Sequence, residues 1–154
     1  MIELPELDTL RDQVGQEIAI SEWLAVTQER IDQFAEATEE RQWIHVDQAR
    51  AAAESPFQAT IAHGFLTLSL VSTLIRRTLS FDRFRMAINY GVNRVRFISP
   101  VPSGSRIRAR FIPMTVIEAG GGVQVTWGIT IERDGADKPC CVAEWVVRYY
   151  TKES

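Results

Sequence analysis

The sequence predicts an α+β fold with an antiparallel sheet, on three observations. Beyond Ser80 the chain turns to long segments in which apolar and polar residues alternate, the period of half-buried strands. Tight turn chemistry, SPVPSG, a glycine triplet and DGAD, joins these segments where parallel strands would need helical crossovers. Ahead of them, Ile61 to Leu79 is apolar almost all round and reads as a core helix. Helices grouped before an antiparallel sheet define the class.

Taken in order, Glu17 to Trp23 mixes Ile18, Ile20 and Trp23 with polar residues and predicts a short strand or edge segment. A helix follows from Thr27 to Ala37 or Thr38: Thr27 caps, Glu29 lies in the first turn, and Ile31, Phe34 and Ala35 share a face. From Glu40 to His45 is a step of five residues, which on a continuous helix would separate the side chains by about 140°. Convergence requires a turn between them, so both are expected on a loop. Asp47 then caps a short helix, Gln48 to Glu54, stopped by Ser55 and Pro56.

In the core helix Phe65, Leu66, Leu68, Leu70, Val71, Leu74 and Ile75 are interrupted by serines, Thr73 and two arginines, too often for a membrane span. Ala87 to Ile98 is a long strand in which the odd step from Val92 to Val95 predicts a bulge near Asn93. Ile107, Ala109 and Phe111 alternate with Arg106, Arg108 and Arg110 until Pro113 bends the strand or sets it at an edge. Val123 to Ile131 gives the cleanest alternation. In the last strand, Cys140 to Tyr150, residues Cys141, Ala143, Trp145, Val147 and Tyr149 share one face.

Composition limits the function classes. A length of 154 residues suits a single domain, 1–154, which buries roughly two thirds of its extended-chain surface. Hydrophobic content of 45%, charged content of 24% and a mean hydropathy of -0.09 fit a water-soluble globule. A net charge of -3 argues against a nucleic-acid partner, and no segment calls for a membrane. The start, MIELPELDTLRDQVGQ, has acidic residues where a signal peptide has a basic head, so a cytoplasmic location is expected. The adjacent Cys140 and Cys141 have neither disulfide nor metal-ligand spacing, and no metal is expected.

Three segments, FAEATEERQWIHVDQARA, TIAHGFLTLSL and NYGVNRVRFISPVPSGSRIRAR, resemble the MaoC-like dehydratases, in particular their NodN-like branch, related to R-specific enoyl-CoA hydratases. The likeness runs from about Val14 to Tyr150. It implies a hotdog fold, a long helix wrapped by a curved antiparallel sheet, a homodimer with the active site near the subunit interface, and a place in fatty-acid metabolism. It implies a lyase adding or removing water at a 2-enoyl or 3-hydroxyacyl thioester of coenzyme A or acyl carrier protein, with no cofactor beyond the substrate's own carrier.

The family carries a Gly-Asp pair with a histidine five residues after the aspartate. His45 takes the histidine position, Glu40 the aspartate position, and Glu39 stands where glycine is expected. Gly64 matches the glycine whose backbone N–H binds the thioester oxygen. Hydration needs water at C3, a proton at C2 and stabilisation of enolate charge. Glu40 would take the water's proton, His45 orient the water and pass a proton, and Gly64 donate at a helix start, where peptide dipoles favour negative charge. His63 is open to capping, packing or touching substrate, with packing favoured, and with Phe65 it completes the candidate substrate contacts. Arg94, Arg96, Arg106, Arg108 and Arg110 offer phosphate contacts to coenzyme A, although a solvated outer sheet face explains most of them. Two alternatives stand beside the lyase: a hotdog thioester hydrolase, and a non-catalytic acyl-thioester binding or partner subunit, the latter motivated by Glu39-Glu40 in place of Gly-Asp.

Overall fold

The computed structural model describes residues 1–151. In chain order the elements are β1 (Ile2–Glu3), α1 (Leu7–Asp12), β2 (Ala19–Ile20), β3 (Leu24–Val26), α2 (Gln28–Thr38), α3 (Trp43–Val46), α4 (Gln48–Glu54), α5 (Gly64–Ser69), α6 (Val71–Thr78), β4 (Leu79–Ser80), β5 (Phe84–Phe97), β6 (Ser105–Ala119), β7 (Gly122–Arg133) and β8 (Cys141–Thr151). The main sheet has the order β2-β6-β7-β8-β5, with β3 also on β6. Every pairing in it is antiparallel. Its inner face meets α5 and α6, giving the expected hotdog arrangement.

The core follows from the alternation. Ile107, Ala109 and Phe111 of β6, Val125, Trp127 and Ile131 of β7, and Cys141, Val147 and Tyr149 of β8 are buried with Leu66, Leu70, Leu74 and Ile75 of the helices. Burial of such side chains contributes about 1.5–3 kcal/mol each. A polar pair deep in this layer is satisfied internally, as Trp127 Nε1–H donates to the Tyr149 hydroxyl at 3.0 Å.

The core helix departs from the expected Ile61–Leu79: it ends at Thr78, Leu79 pairing in β4, and it differs at its start and in its middle. It begins at Gly64, because Ile61 and Ala62 are held extended: Ile61 N–H donates to Ile44 C=O and Ala62 N–H to Val101 C=O. It also flattens at Leu70 (φ -66°, ψ -15°), dividing α5 from α6 while Leu70 N–H to Leu66 C=O and Leu74 N–H to Leu70 C=O carry the hydrogen bonding across. Ser69 Oγ donates to Leu66 C=O at 2.8 Å, the back-bonding that bends helices.

Elsewhere the caps occur where expected. Thr27 accepts from Arg30 N–H to open α2, and Asp47 from Arg50 N–H to open α4. The bulge in β5 is present as a register shift between Asn93 and Arg96, with Arg94 at φ 51°. Strand β5 starts at Phe84, ahead of the expected Ala87. Pro113 both shifts the register against β7 and lies beyond the reach of β2, whose last partner is Phe111. The early strand divides into β2 and β3, and Cys140 stands just before β8, in the turn rather than the strand. Helix α1 and the parallel β1–β4 pair were not expected from the sequence.

Of the five arginines considered for phosphate, three belong to an outer-face ion-pair network: Arg108 and Arg110 share Glu132 at 2.7 Å each, Arg110 also meets Glu17, and Arg106 pairs with Asp134. The Glu132 carboxyl is held below the usual carboxylate range, chiefly by its hydrogen bond from Arg110. Arg94 approaches Glu144 at 3.6 Å, and Arg96 donates to Val95 C=O. The outer-face reading explains these side chains. Among the described residues no helix is long and apolar enough to cross a membrane.

Candidate active site

His45 is placed on α3, a single helical turn, where a loop was expected; the turn in the chain that the Glu40–His45 spacing requires falls at residues 39–42. Gln28 at the start of α2 anchors that turn, its amide nitrogen donating to His45 C=O at 2.8 Å while its oxygen accepts from Thr60. The segment holding Thr60 is itself fixed by Ser103 N–H to Thr60 C=O. His45 is therefore held by α2 on one side and by residues 60–62 on the other.

His45 is 8% exposed. Its Nδ1 lies 2.7 Å from Ile61 C=O, and since a carbonyl only accepts, Nδ1 carries the proton there. That leaves Nε2 as the acceptor of the neutral ring. Burial, followed by the influence of His63, lowers the affinity of His45 for a second proton, against the opposing pull of the Ile61 carbonyl and of Glu40. The second ring, His63, is 4% exposed and stacks on His45 with centroids 3.8 Å apart. It also meets Phe34 at 4.9 Å. His63 makes no side-chain cap on α5.

His45 and Gly64 share a cleft of about 260 Å³, with Thr67, Phe97, Val101 and Cys140 among its walls. Gly64 is the first residue of α5, so its N–H belongs to the helix turn that lacks intrahelical acceptors. A Cβ at Gly64 would meet three carbons of the Phe97 ring at 3.0 Å. Thr67, buried one turn into α5, and Phe97, at the end of β5, went unnoticed in the sequence; the spacing from Gly64 to Thr67 was the available signal for the first. Cys140 is no nucleophile here, because burial pushes its thiol up to about 12.

The structure brings His45, His63 and Gly64 together and treats the other two candidates differently. The Glu40 carboxylate is exposed, accepts from Gln42 N–H at 3.3 Å and does not line the cleft, while the Glu40 carbonyl accepts from His63 Nε2–H at 2.9 Å. Phe65 is 71% exposed and lines a neighbouring groove of about 370 Å³ between α5 and β5, with Leu68, Tyr90, Val92 and Trp145. Glu39 adopts the left-handed conformation at φ 61°, ψ 13°, which favours glycine. The local backbone thus retains a glycine-like turn with a glutamate in it. Among the described residues no group of three or more His, Cys, Asp or Glu side chains is placed to hold a metal ion.

Comparison with known proteins identifies the family and the fold. The chain is 49% identical over 136 residues to the 3-hydroxyacyl-thioester dehydratase Z of Mycobacterium tuberculosis, covering 88% of this chain and 89% of the relative. It is 47% identical over 135 residues to nodulation protein N of Rhizobium leguminosarum bv. viciae, covering 86% and 84%. The structure superposes on the (R)-hydratase from A. caviae involved in PHA biosynthesis with a TM-score of 0.70 and 25% identity, covering 87% of this chain and 94% of the other. The model of the MaoC like domain matches residues 10–129. With that span and these relatives, the chain belongs to the MaoC-like dehydratase family.

Proposed function

We propose that the protein is a hydro-lyase that adds water to a 2-enoyl thioester, or removes it from the 3-hydroxyacyl product, on coenzyme A or acyl carrier protein. The observation that carries the reading is the shared cleft of His45 and Gly64, with Nδ1 committed to Ile61 and Nε2 left as the ring's acceptor. In the hydration direction the water oxygen bonds to C3, the C2–C3 π electrons move to C2, and enolate charge gathers on the thioester oxygen at the Gly64 N–H. Glu40 takes the water's proton, while His45 Nε2 accepts from the water's other O–H and orients it. The proton taken up is then passed on to C2, so that OH is added at C3 and H at C2, and both side chains return to their starting state. This reading requires the Glu40 carboxylate to turn inward from its exposed position. Burial lowers the proton affinity of His45, which keeps Nε2 free to accept from the water.

Incubation with crotonyl-CoA and longer 2-enoyl-CoAs tests the reading through loss of the enoyl absorbance. H45Q should abolish that loss. Turnover unaffected by H45Q, or no turnover by the folded wild type, overturns it, and release of free thiol instead identifies a hydrolase.

The exposed Glu40 carboxylate supports a second reading, a non-catalytic acyl-thioester binding subunit. It predicts binding without turnover, with E39G/E40D restoring activity. The partner of either form is a second copy of the chain, giving a homodimer. Strand β5 is the sheet edge, and from Arg85 to Arg94 its residues are exposed on both faces, including Met86, Ile88, Tyr90 and Val92. An uncovered apolar edge of that length suits pairing with an identical strand.

A further inference from the structure

We propose that His63 is a positioning residue, whose Nε2–H fixes the loop bearing Glu40 against the His45 imidazole; this rests on the hydro-lyase reading above. Three observations carry it. His63 is only 4% exposed, in a place where an apolar ring of the same size would fill the space without a polar group to satisfy. Its Nε2–H to Glu40 C=O bond, spanning 23 residues, is the only hydrogen bond among the described residues that ties residues 39–42 to a distant part of the chain. The loop's other side-chain hydrogen bonds, Arg41 to Glu36 and Gln42 N–H to the Glu40 carboxylate, are local and exposed. Finally, the same ring stacks at 3.8 Å on His45. One side chain therefore touches both the loop and the imidazole that the reaction must bring to one water.

The chemistry required at position 63 is specific. Glu40 C=O only accepts, so the ring must present a proton at Nε2. Nδ1 of His63 is buried without a partner among the described residues. The side chain thus offers one useful atom, a donor at the far end of the ring. Glutamine reaches a similar point with its amide nitrogen, asparagine falls short, and phenylalanine keeps the stack without the donor.

The pair also acts electrostatically, since charge on His63 opposes charge on His45. The other titratable groups around His45 are Glu40 on the loop and Cys140 across the cleft, whose thiol is neutral. Nearby charges are otherwise engaged: Asp47 caps α4, Arg50 lies over the Trp43 ring at 4.3 Å, Asp32 accepts from Gln28 and Arg41 meets Glu36. Removing the second imidazole therefore moves the His45 titration upward.

The test compares H63Q and H63F with the wild type in kcat, KM, the pH–rate profile and thermal melting. H63F should lose about tenfold to a hundredfold in kcat with little change in KM, the scale of a misplaced catalytic group. H63Q should retain kcat within a few fold, and both should show an acid limb displaced to higher pH. Equal losses in the two variants, or an unchanged kcat in H63F, overturn the proposal. Should H63F not fold, H63N replaces it. If the wild type turns over no enoyl thioester, the reaction reading fails separately. The positioning role is then decided by NMR: backbone amides of residues 39–42 should shift in H63F and not in H63Q, and the His45 imidazole should titrate higher in both. Unmoved resonances overturn it.

Discussion

The Phe97 ring lies flat against the bare Cα of Gly64, with three ring carbons 3.0 Å from where a methyl group would stand. The Phe97 ring can approach the start of α5 this closely because position 64 has no side chain, and a methyl group there would displace the ring. Phe97 is 47% exposed and has room to move, so G64A should fold. Its kcat should fall by ten- to a hundredfold, and F97A in the same chain should recover part of the loss. A double-mutant cycle on kcat/KM is expected to show coupling of about 1–2 kcal/mol.

Glu39 occupies a left-handed conformation that costs a side-chain-bearing residue about 1–2 kcal/mol. Glycine removes that cost but gives back part of it through the greater freedom of the unfolded chain. E39G should be more stable by about 0.5–1 kcal/mol, raising the Tm by roughly 2–3 °C for a chain of this size. A melting curve that moves down refutes the assignment of strain.

Glu40 distinguishes catalysis from binding. Removing a general base typically costs about 10²–10⁴-fold. E40Q should therefore lower kcat by about that range with KM nearly unchanged, and E40D should retain turnover. Unchanged kcat in E40Q would show that the carboxylate stays where it is seen, on the exposed side of its loop.

The pH dependence follows from His45. Its folded-state pKa lies below the ordinary 6.5, mainly through burial, so the unfolded chain binds the proton more readily. Stability conferred by the neutral ring is complete above about pH 6.5 and declines as pH falls from there toward the lower folded value. Chemical denaturation should show a midpoint that drops on acidification through this window, and H45Q should flatten that part of the curve. The acid limb of kcat/KM is expected below about pH 6.5 for the same reason.

Pairing through β5 predicts a sedimentation mass twice that of the chain. A charge placed on the edge, V92K or I88K, should yield monomers, since these residues are 45% and 47% exposed in the single chain and face the proposed partner. A monomeric wild type contradicts the homodimer.

Much of this was legible in the sequence because it is written locally. Thr27 and Asp47 cap their helices through contacts three residues away, and the alternation from Val123 to Ile131 needs no tertiary information. Helix α1 has no side-chain cap, and β1 exists through its pairing with Leu79 and Ser80, far along the chain, so neither carries a local signature. The candidate site divides in the same way. His45 and Gly64 were singled out by the resemblance of the short segments that carry them, whereas the His63–Glu40 contact joins residues 23 apart and the Phe97–Gly64 contact joins the helix to a strand. The helix boundary at Gly64 was obscured because Ile61 and Ala62 are as apolar as the helix that follows, and hydrogen bonds to Ile44 and Val101 decide their conformation.

The adjacent thiols at the start of β8 have a practical consequence. Both are buried, Cys140 donates from Sγ to Ile131 C=O, and burial raises them to about 12 and about 11. At neutral pH the native chain presents almost no thiolate to an alkylating reagent. Labelling must therefore wait for β8 to part from β7, so the time course of thiol modification serves as an intrinsic clock for opening of the sheet, read without adding a probe.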